Sequence, residues 1–273
     1  MATNTVYANK VIESKAKDLL TTSVNTRNLM SVDNSLTQDA GMVKTINIYT
    51  YSGAAEEVAN GAGNTASNRG SITYTGVDYT VKMVQQAFDY TDEDYMKDPF
   101  IVDAMLKGAN QKMVNKMTSD FLAALATKAS GGDTELVNGI TFAKGKALSY
   151  DVIVDAISEL NIEDESDIFI IIPNAWKASL RKDADYKSAQ LGQVIYNGQV
   201  GEICGIPVIA TKALTDKAYV MTKEAVKLFM KKDVEVEQAR DADKRKNSVY
   251  LRTAYVVALV DSTKACKITE AAT

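Results

Sequence analysis

Gly53-Ala54-Ala55-Glu56-Glu57-Val58-Ala59-Asn60-Gly61-Ala62-Gly63-Asn64-Thr65-Ala66-Ser67-Asn68-Arg69-Gly70 separates two runs of strand-forming residues. It is too long for a hairpin turn and too small-sided for a core. Hairpin loops take two to five residues, and structureless loops beyond roughly 12–15 residues are binding elements or disordered. Val43-Lys44-Thr45-Ile46-Asn47-Ile48-Tyr49-Thr50-Tyr51 leads in. Residues 71–83 lead out, with Val77, Tyr79, Val81 and Met83 on one face and Asp78, Thr80 and Lys82 on the other. An isolated pair of strands is marginal in water, so an arm of this kind lies on another surface, its own domain's or a neighbouring subunit's. From these residues alone a floppy surface insertion is the equal alternative.

Outward from this stretch the chain is ordinary in bulk. Its 273 residues can bury one large core or two small ones, and 46% hydrophobic with 24% charged residues place it in the globular range. A net charge of -4 argues against a strongly basic nucleic-acid-gripping face. No basic segment followed by an apolar run opens the chain, and no apolar run of about 18 residues occurs, so the expectation is a cytosolic protein with no membrane contact. Cys204 and Cys266 lack a metal-ligand spacing and both read as buried apolar residues.

The first forty residues are polar, with a narrow helical stripe at Val11, Ile12, Ala16, Leu19 and Leu20, and suit an arm or an ordinary docked helix. Asp98-Pro99 opens the strongest helix signal, Asp98 as N-cap and Pro99 in the first turn. Val102, Leu106, Ala109, Met113, Met117, Phe121 and Leu125 then recur at helical spacing to about Ser130, where Gly131-Gly132 stops the pattern. Such a helix spans on the order of 45 Å at about 1.5 Å per residue, enough to act as a spine. Gly108 and Asn110 break a clean coiled-coil seam.

A second region begins at Ser149, placed to cap a helix carrying Val152, Ile153, Ala156, Ile157 and Leu160. Residues 167–172 form a buried-strand run ended by Pro173, and Asn174 is placed to cap a short helix through Trp176 and Leu180. A polar stretch over residues 183–201 leads to a strand at Ile206 to Ala210. Strands follow at Ala218–Met221, Val234–Glu237, Val249–Val260 and Ala265–Ile268, with a charged turn at Asp241 to Asn247. The fold class is α+β, and no internal repeat is present.

Chemistry is sparse. The chain contains no histidine, which removes Ser-His-Asp and Cys-His systems and His-based metal sites. Asp92-Glu93-Asp94, Asp183 with Asp185, and Glu235 with Glu237 are acidic clusters, each better read as a solvated turn or strand face than as an acid–base pair. Gly61-Ala62-Gly63 lacks the Gly-Lys-Ser/Thr of a phosphate loop. Asp241-Ala242-Asp243 starts like a calcium loop, but Lys244, Arg245 and Lys246 stand where oxygen ligands belong. Lys223, Lys227, Lys231 and Lys232 are diluted by acids and read as a solvated face. Catalytic residues, metal ligands and cofactor contacts are therefore expected to be none.

Ile171-Ile172-Pro173-Asn174-Ala175-Trp176 and Gly201-Glu202-Ile203-Cys204-Gly205-Ile206-Pro207-Val208 are similar to strand-Pro-x-x-Trp and Gly-x-x-x-Gly-x-Pro-Val stretches of tailed-bacteriophage major capsid proteins of the Hong Kong 97-like fold. Arg240-Asp241 before the last long strands fits as well. Across nearly the whole chain, the element order resembles that family. The resemblance implies an N-terminal arm (1–41), an extended β-hairpin or E-loop (42–83), a P-domain (84–148) with spine helix 98–130, an αβ A-domain (149–214), and C-terminal strands (215–273) returning to the P-domain.

It also implies a structural function. Copies would form pentamers and hexamers of an icosahedral shell around double-stranded phage DNA, contacted weakly, with portal, scaffolding or decoration proteins as further partners. Localisation would be the virion, assembled in the host bacterial cytoplasm. Candidate inter-subunit contacts are Gly53, Gly61, Gly63, Asn64, Arg69 and Gly70. No lysine lies between Lys44 and Lys82, which argues against a covalent lysine crosslink in the arm. The residues before the hairpin leave no room for a large cleaved scaffolding segment, so a separate scaffolding protein or none is expected. An encapsulin-type compartment shell is the alternative of the same fold, and a carboxylate-dependent enzyme the alternative of another class.

Overall fold

Residues 26–38, 40–63, 69–126, 138–163, 165–183 and 202–271 are described by a computed structural model. In chain order they form β1 (Ser31–Asp33), β2 (Val43–Ser52), β3 (Ser71–Thr80), β4 (Lys82–Thr91), α1 (Asp92–Lys97), α2 (Ile101–Ala126), β5 (Asn138–Phe142), α3 (Tyr150–Leu160), β6 (Ile168–Pro173) and α4 (Lys177–Lys182). β7 (Glu202–Ile203), β8 (Ile206–Thr211), β9 (Lys217–Thr222), β10 (Val226–Asp241), β11 (Lys246–Leu259) and β12 (Ala265–Glu270) follow. The strands make a four-stranded sheet in the order β1-β10-β11-β4, a six-stranded sheet in the order β5-β12-β9-β6-β8-β7, and a two-stranded ribbon of β2 and β3.

The long helix α2 lies on one face of the four-stranded sheet. Its seven periodic residues, Val102 through Leu125, are all buried, packed with Tyr90, Leu228, Met230, Val249, Leu251 and Tyr255. The helix begins at Ile101, not at residue 98, because Asp98, Pro99 and Phe100 form a preceding turn in which the Asp98 carboxylate accepts the Phe100 N–H at 2.9 Å. Its expected end at Ser130 and Gly131-Gly132 lies outside the described residues. Asn110 is buried on the same face and donates to the Leu106 carbonyl at 2.9 Å.

On the sheet's other face sits the root of the ribbon, where Val77, Tyr79 and Val81 pack on Phe229, Ala254 and Ala258. The Tyr79 ring stacks on Phe229 and its hydroxyl donates to the Leu259 carbonyl at 3.0 Å. β10 therefore sends Phe229 to the ribbon side and Leu228 and Met230 to the helix side. Both faces are covered along residues 226–230, so this part of β10 shows no alternation and was not expected as a strand.

Residues 71–83 do not form one strand as expected. Val81 breaks the pairing, donating its N–H to the Met42 carbonyl at 2.7 Å, and the chain crosses from the ribbon into the four-stranded sheet as β4. The alternation changes phase at this crossing, which leaves Met83 61% exposed instead of sharing the buried face of Val77, Tyr79 and Val81. Residues 26–38 are docked and not a free arm: β1 pairs in parallel with β10, and Leu29, Met30 and Leu36 are buried. The stripe Val11 to Leu20 lies outside the described residues.

The six-stranded sheet stands between two cores. β6 sends Ile168, Ile170 and Ile172 to the core under α3 and Phe169 and Ile171 to the core under α2, which accounts for its unbroken apolar run. β9 divides Ala218 and Val220 from Tyr219 and Met221 in the same way. β12 is inserted between β5 and β9, so the sheet gathers residues 138–142, 217–222 and 265–270 with β6, β7 and β8. The expected divisions at 148/149 and 214/215 cut across this sheet, because its neighbours are far apart in sequence. Only β10 and β11 of the C-terminal strands join the four-stranded sheet.

Caps differ in detail from expectation. Ser149 precedes α3 without a side-chain cap bond, and the Tyr150 N–H is taken instead by the Asp183 carboxylate at 2.9 Å. Trp176, not Asn174, is the residue preceding α4, and the Asn174 N–H bonds the Thr211 carbonyl at 2.9 Å. Trp176 meets Phe142 edge-on, with ring centroids 5.4 Å apart. Residues 184–201 lie outside the described residues.

Candidate inter-subunit surface

The ribbon is docked at one end and open at the other. Opposite residues of β2 and β3 share a face, so Ile46 and Val77 turn toward the core while Tyr49 and Tyr74, and Tyr51 and Ile72, form two successive pairs on the reverse face. Tyr49, Tyr51, Ile72 and Tyr74 are 66%, 68%, 63% and 70% exposed. The Tyr49 and Tyr74 rings are 6.3 Å apart and tilted at 46°. None of these four is among the contact residues expected from sequence; the available signal was Tyr49 and Tyr51 at i, i+2 on β2, with Ile72 and Tyr74 at the same spacing on β3.

Of the six expected contact residues, Gly53 and Gly70 are brought together, while Gly61 and Gly63 meet nothing nearby. They face each other where the ribbon ends: a Cβ on Gly53, whose φ is +148°, would lie 2.8 Å from the Gly70 Cα. The Ser52 and Ser71 hydroxyls pair just below at 2.7 Å. Gly61, with φ of +82°, and Gly63 lie in open space farther out, where an added Cβ meets nothing within 4 Å. Arg69 is exposed beside Gly70, and Asn64 lies outside the described residues.

The acidic clusters serve the fold. Asp92 accepts from Arg240 at 2.9 Å and from Asn247 at 3.1 Å, Glu93 pairs with Arg245 at 2.8 Å, and Asp94 closes a reciprocal cap with Thr91. The Thr91 hydroxyl and N–H bonds hold the Asp94 carboxyl below its ordinary range. Glu235 pairs with Lys232 and Glu237 with Arg252. Asp183 caps α3, and Asp185 lies outside the described residues. Among the described residues no group of three or more His, Cys, Asp or Glu side chains is placed to hold a metal ion, and no helix is long and apolar enough to cross a membrane.

Cys266 is buried as expected, and burial pushes its thiol up to about 11. Cys204 is exposed, contrary to expectation. It sits in the tight β7–β8 turn with φ of +53°, next to Gly205 at +79°, so its side chain is held at the surface, 3.3 Å from the Tyr150 hydroxyl.

Solved structures share this arrangement. The capsid of cyanophage P-SCSP1u superimposes with a TM-score of 0.71 at 12% identity, over 92% of this chain and 89% of that one. The capsid of an empty GTA particle, computed with C5 symmetry, gives a TM-score of 0.69 at 12% identity over 92% and 90%. The fold is thus the Hong Kong 97-like capsid fold, α+β in class.

Residues 74–268 match the family model described as phage capsid protein, and the chain belongs to that family. The "Major capsid protein" of Staphylococcus phage phiMR11 is 28% identical over 249 residues, 88% of this chain and 84% of the relative. Of the two shell readings, the family match selects the viral one over the compartment.

Proposed function

We propose that this chain is the major shell subunit of a tailed phage, closing as pentamers and hexamers into an icosahedral capsid around double-stranded DNA. The observation that carries this reading is the ribbon: docked at its root, exposed along its outer half, and continued by the exposed residues 53–63. A ribbon of ten-residue strands reaches roughly 34 Å at about 3.4 Å per residue, beyond the surface its own sheet covers. Identical copies that each extend an arm onto the next make a head-to-tail contact, which closes into rings.

In this reading residues 42–83 are the E-loop and the four-stranded sheet with α2 is the P-domain. The six-stranded sheet with α3 is the A-domain that gathers at the ring centre, and the residues before β1 are the N-terminal arm. The net charge of -4 suits weak, non-specific contact with packaged DNA. Portal, scaffolding or decoration proteins complete the particle, which assembles in the host cytoplasm. The chain's part in it is structural, with no catalytic step.

Electron microscopy of the purified protein tests the proposal. Closed polyhedral particles are expected, and a variant lacking residues 53–70 should stay folded by circular dichroism yet yield no stable particles. Normal particles from the deletion would remove the arm from the assembly mechanism.

A further inference from the structure

Asparagine followed by glycine is a reactive pair, because the unhindered glycine nitrogen can attack the asparagine side chain. The chain holds Asn60-Gly61, Asn138-Gly139 and Asn197-Gly198. The last lies outside the described residues, and the other two stand in opposite settings. Asn60 and Gly61 are the central residues of a tight turn, closed by the Ala62 N–H donating to the Ala59 carbonyl at 2.9 Å. Both are exposed, and the Gly61 φ of +82° suits the third position of a type II turn. A Cβ on Gly61 would meet nothing within 4 Å, and among the described residues neither the Asn60 side chain nor the Gly61 N–H has a hydrogen-bond partner. Asn138 is pinned by comparison. It lies in β5, which pairs with β12 so that Asn138 stands opposite Cys266 and Gly139 opposite Lys267, and its side-chain amide donates to the Thr263 carbonyl at 3.1 Å.

We propose that Asn60 is a site of spontaneous covalent modification, converting through a cyclic succinimide to aspartate and isoaspartate while Asn138 keeps its amide. The Gly61 nitrogen bonds to the Asn60 side-chain carbonyl carbon, the side-chain nitrogen leaves, and the proton given up by Gly61 ends on the departing ammonia. Water then opens the ring. Attack at the side-chain carbonyl leaves aspartate, and attack at the main-chain carbonyl leaves isoaspartate, whose main chain runs through the side-chain carbons. Water is consumed and ammonia released, with no other reactant. Ring closure needs rotation about the Asn60 Cα–C bond, which an exposed tip with no Cβ at Gly61 allows and a strand ladder opposes. Residues 53–63 include Glu56 and Glu57 and no basic residue, so conversion adds negative charge to an already acidic tip. Each ribbon thereby carries a record of its age. The chemistry stands apart from the shell reading above; with that reading, aged and new subunits meet their neighbours with different tips.

Peptide mass spectrometry tests this on freshly purified full-length subunits, separated from any particles by size and held in mildly alkaline buffer. Trypsin places Asn60 in the peptide of residues 45–69 and Asn138 in that of residues 129–144. The first should gain the mass of an amide-to-acid exchange, located at Asn60 by fragmentation and present in both aspartyl and isoaspartyl forms. The second should convert at least about tenfold more slowly, because its strand must open first. In urea-unfolded chains that difference should vanish, and Asn60→Gln should abolish the gain at this position. Conversion at Asn60 no faster than at Asn138 in the folded protein, or aspartate formed without isoaspartate, would overturn the proposal and leave the shell reading standing.

Discussion

Tyr51 lies over Gly70, so closely that a Cβ on Gly70 would sit 2.0 Å from the Tyr51 hydroxyl oxygen. The ring occupies the space a side chain would take and joins the last pairs of the ribbon to the base of its loop. Gly53 completes this base from the other strand.

The two glycines differ in what opposes a substitution. At Gly70 the obstacle is an exposed tyrosine that can swing away, so Gly70→Ala should move Tyr51 at little cost in stability. At Gly53 it is the Gly70 backbone, and φ is +148°. Gly53→Ala should therefore open the ribbon end by about 1–2 kcal/mol, lowering amide-exchange protection of residues 49–52 and 71–74 roughly 5–30-fold. Gly63→Ala, in open space, should leave protection unchanged.

Phe121 is fully buried toward the C-terminal end of the helix stripe. Phe121→Ala should cost about 3–5 kcal/mol in urea unfolding, by lost burial plus the cavity left behind. Ser119→Ala, on the exposed side of the same helix, should stay within about 0.5 kcal/mol. Equal effects at the two positions would mean that the helix does not pack as described.

The Tyr255 hydroxyl donates to the Asp120 carboxylate at 3.0 Å, while Lys116 reaches the other carboxylate oxygen from solvent. Tyr255→Phe should cost about 1–2 kcal/mol, since it leaves a half-buried charge one partner short. Lys116→Ala should cost under about 0.5 kcal/mol, as an exposed i, i+4 pair contributes little. A double-mutant cycle read by denaturant unfolding separates the two.

Without histidine, no side chain titrates near neutrality, and the thermal midpoint should be flat between roughly pH 6 and 8. Burial pushes Tyr219 up to about 12 and Cys266 up to about 11, and raises Tyr255 further beside Asp120. These groups stay protonated in the fold after the unfolded chain has begun to lose their protons. Stability should accordingly fall as pH rises from about 9, where an unfolded thiol titrates, through 10 to about 12. On the acid side, carboxyls held low by their partners, Asp33 by the Ser35 N–H and Asp89 and Glu224 by Lys246 and Lys264, stabilise the fold above about pH 4 and lose that contribution below it. A midpoint that varied steeply around pH 7 would contradict this account.

Periodicity carried the helix and the apolar strand because each has a one-to-one relation between spacing and burial. Every member of the Val102–Leu125 stripe is buried, and residues 168–172 read as buried because both sides of β6 face a core. Met83 failed for a local reason: the chain changes sheets at Val81, and a period of two carried past that crossing lands on the wrong face. Residues 226–230 were not expected as a strand because Lys227 interleaves with apolar residues that serve two opposite faces. The surface on the ribbon was half legible. Glycines marked the base at Gly53 and Gly70, but the tyrosine face is defined by register across the strands, a long-range relation that neither strand shows alone.

The place of β12 between β5 and β9 has a consequence in time. Residues 138–142 connect to their sheet only through residues 265–270, so that sheet closes only after residue 270 has left the ribosome, many seconds after residue 142 at about 5–20 residues per second. The residues of the ribbon are made early, but the body on which its root packs, at Phe229, Ala254 and Ala258, is finished late. A chain released before residue 270 therefore lacks the strand that ties β5 to β9, and with it a completed six-stranded sheet.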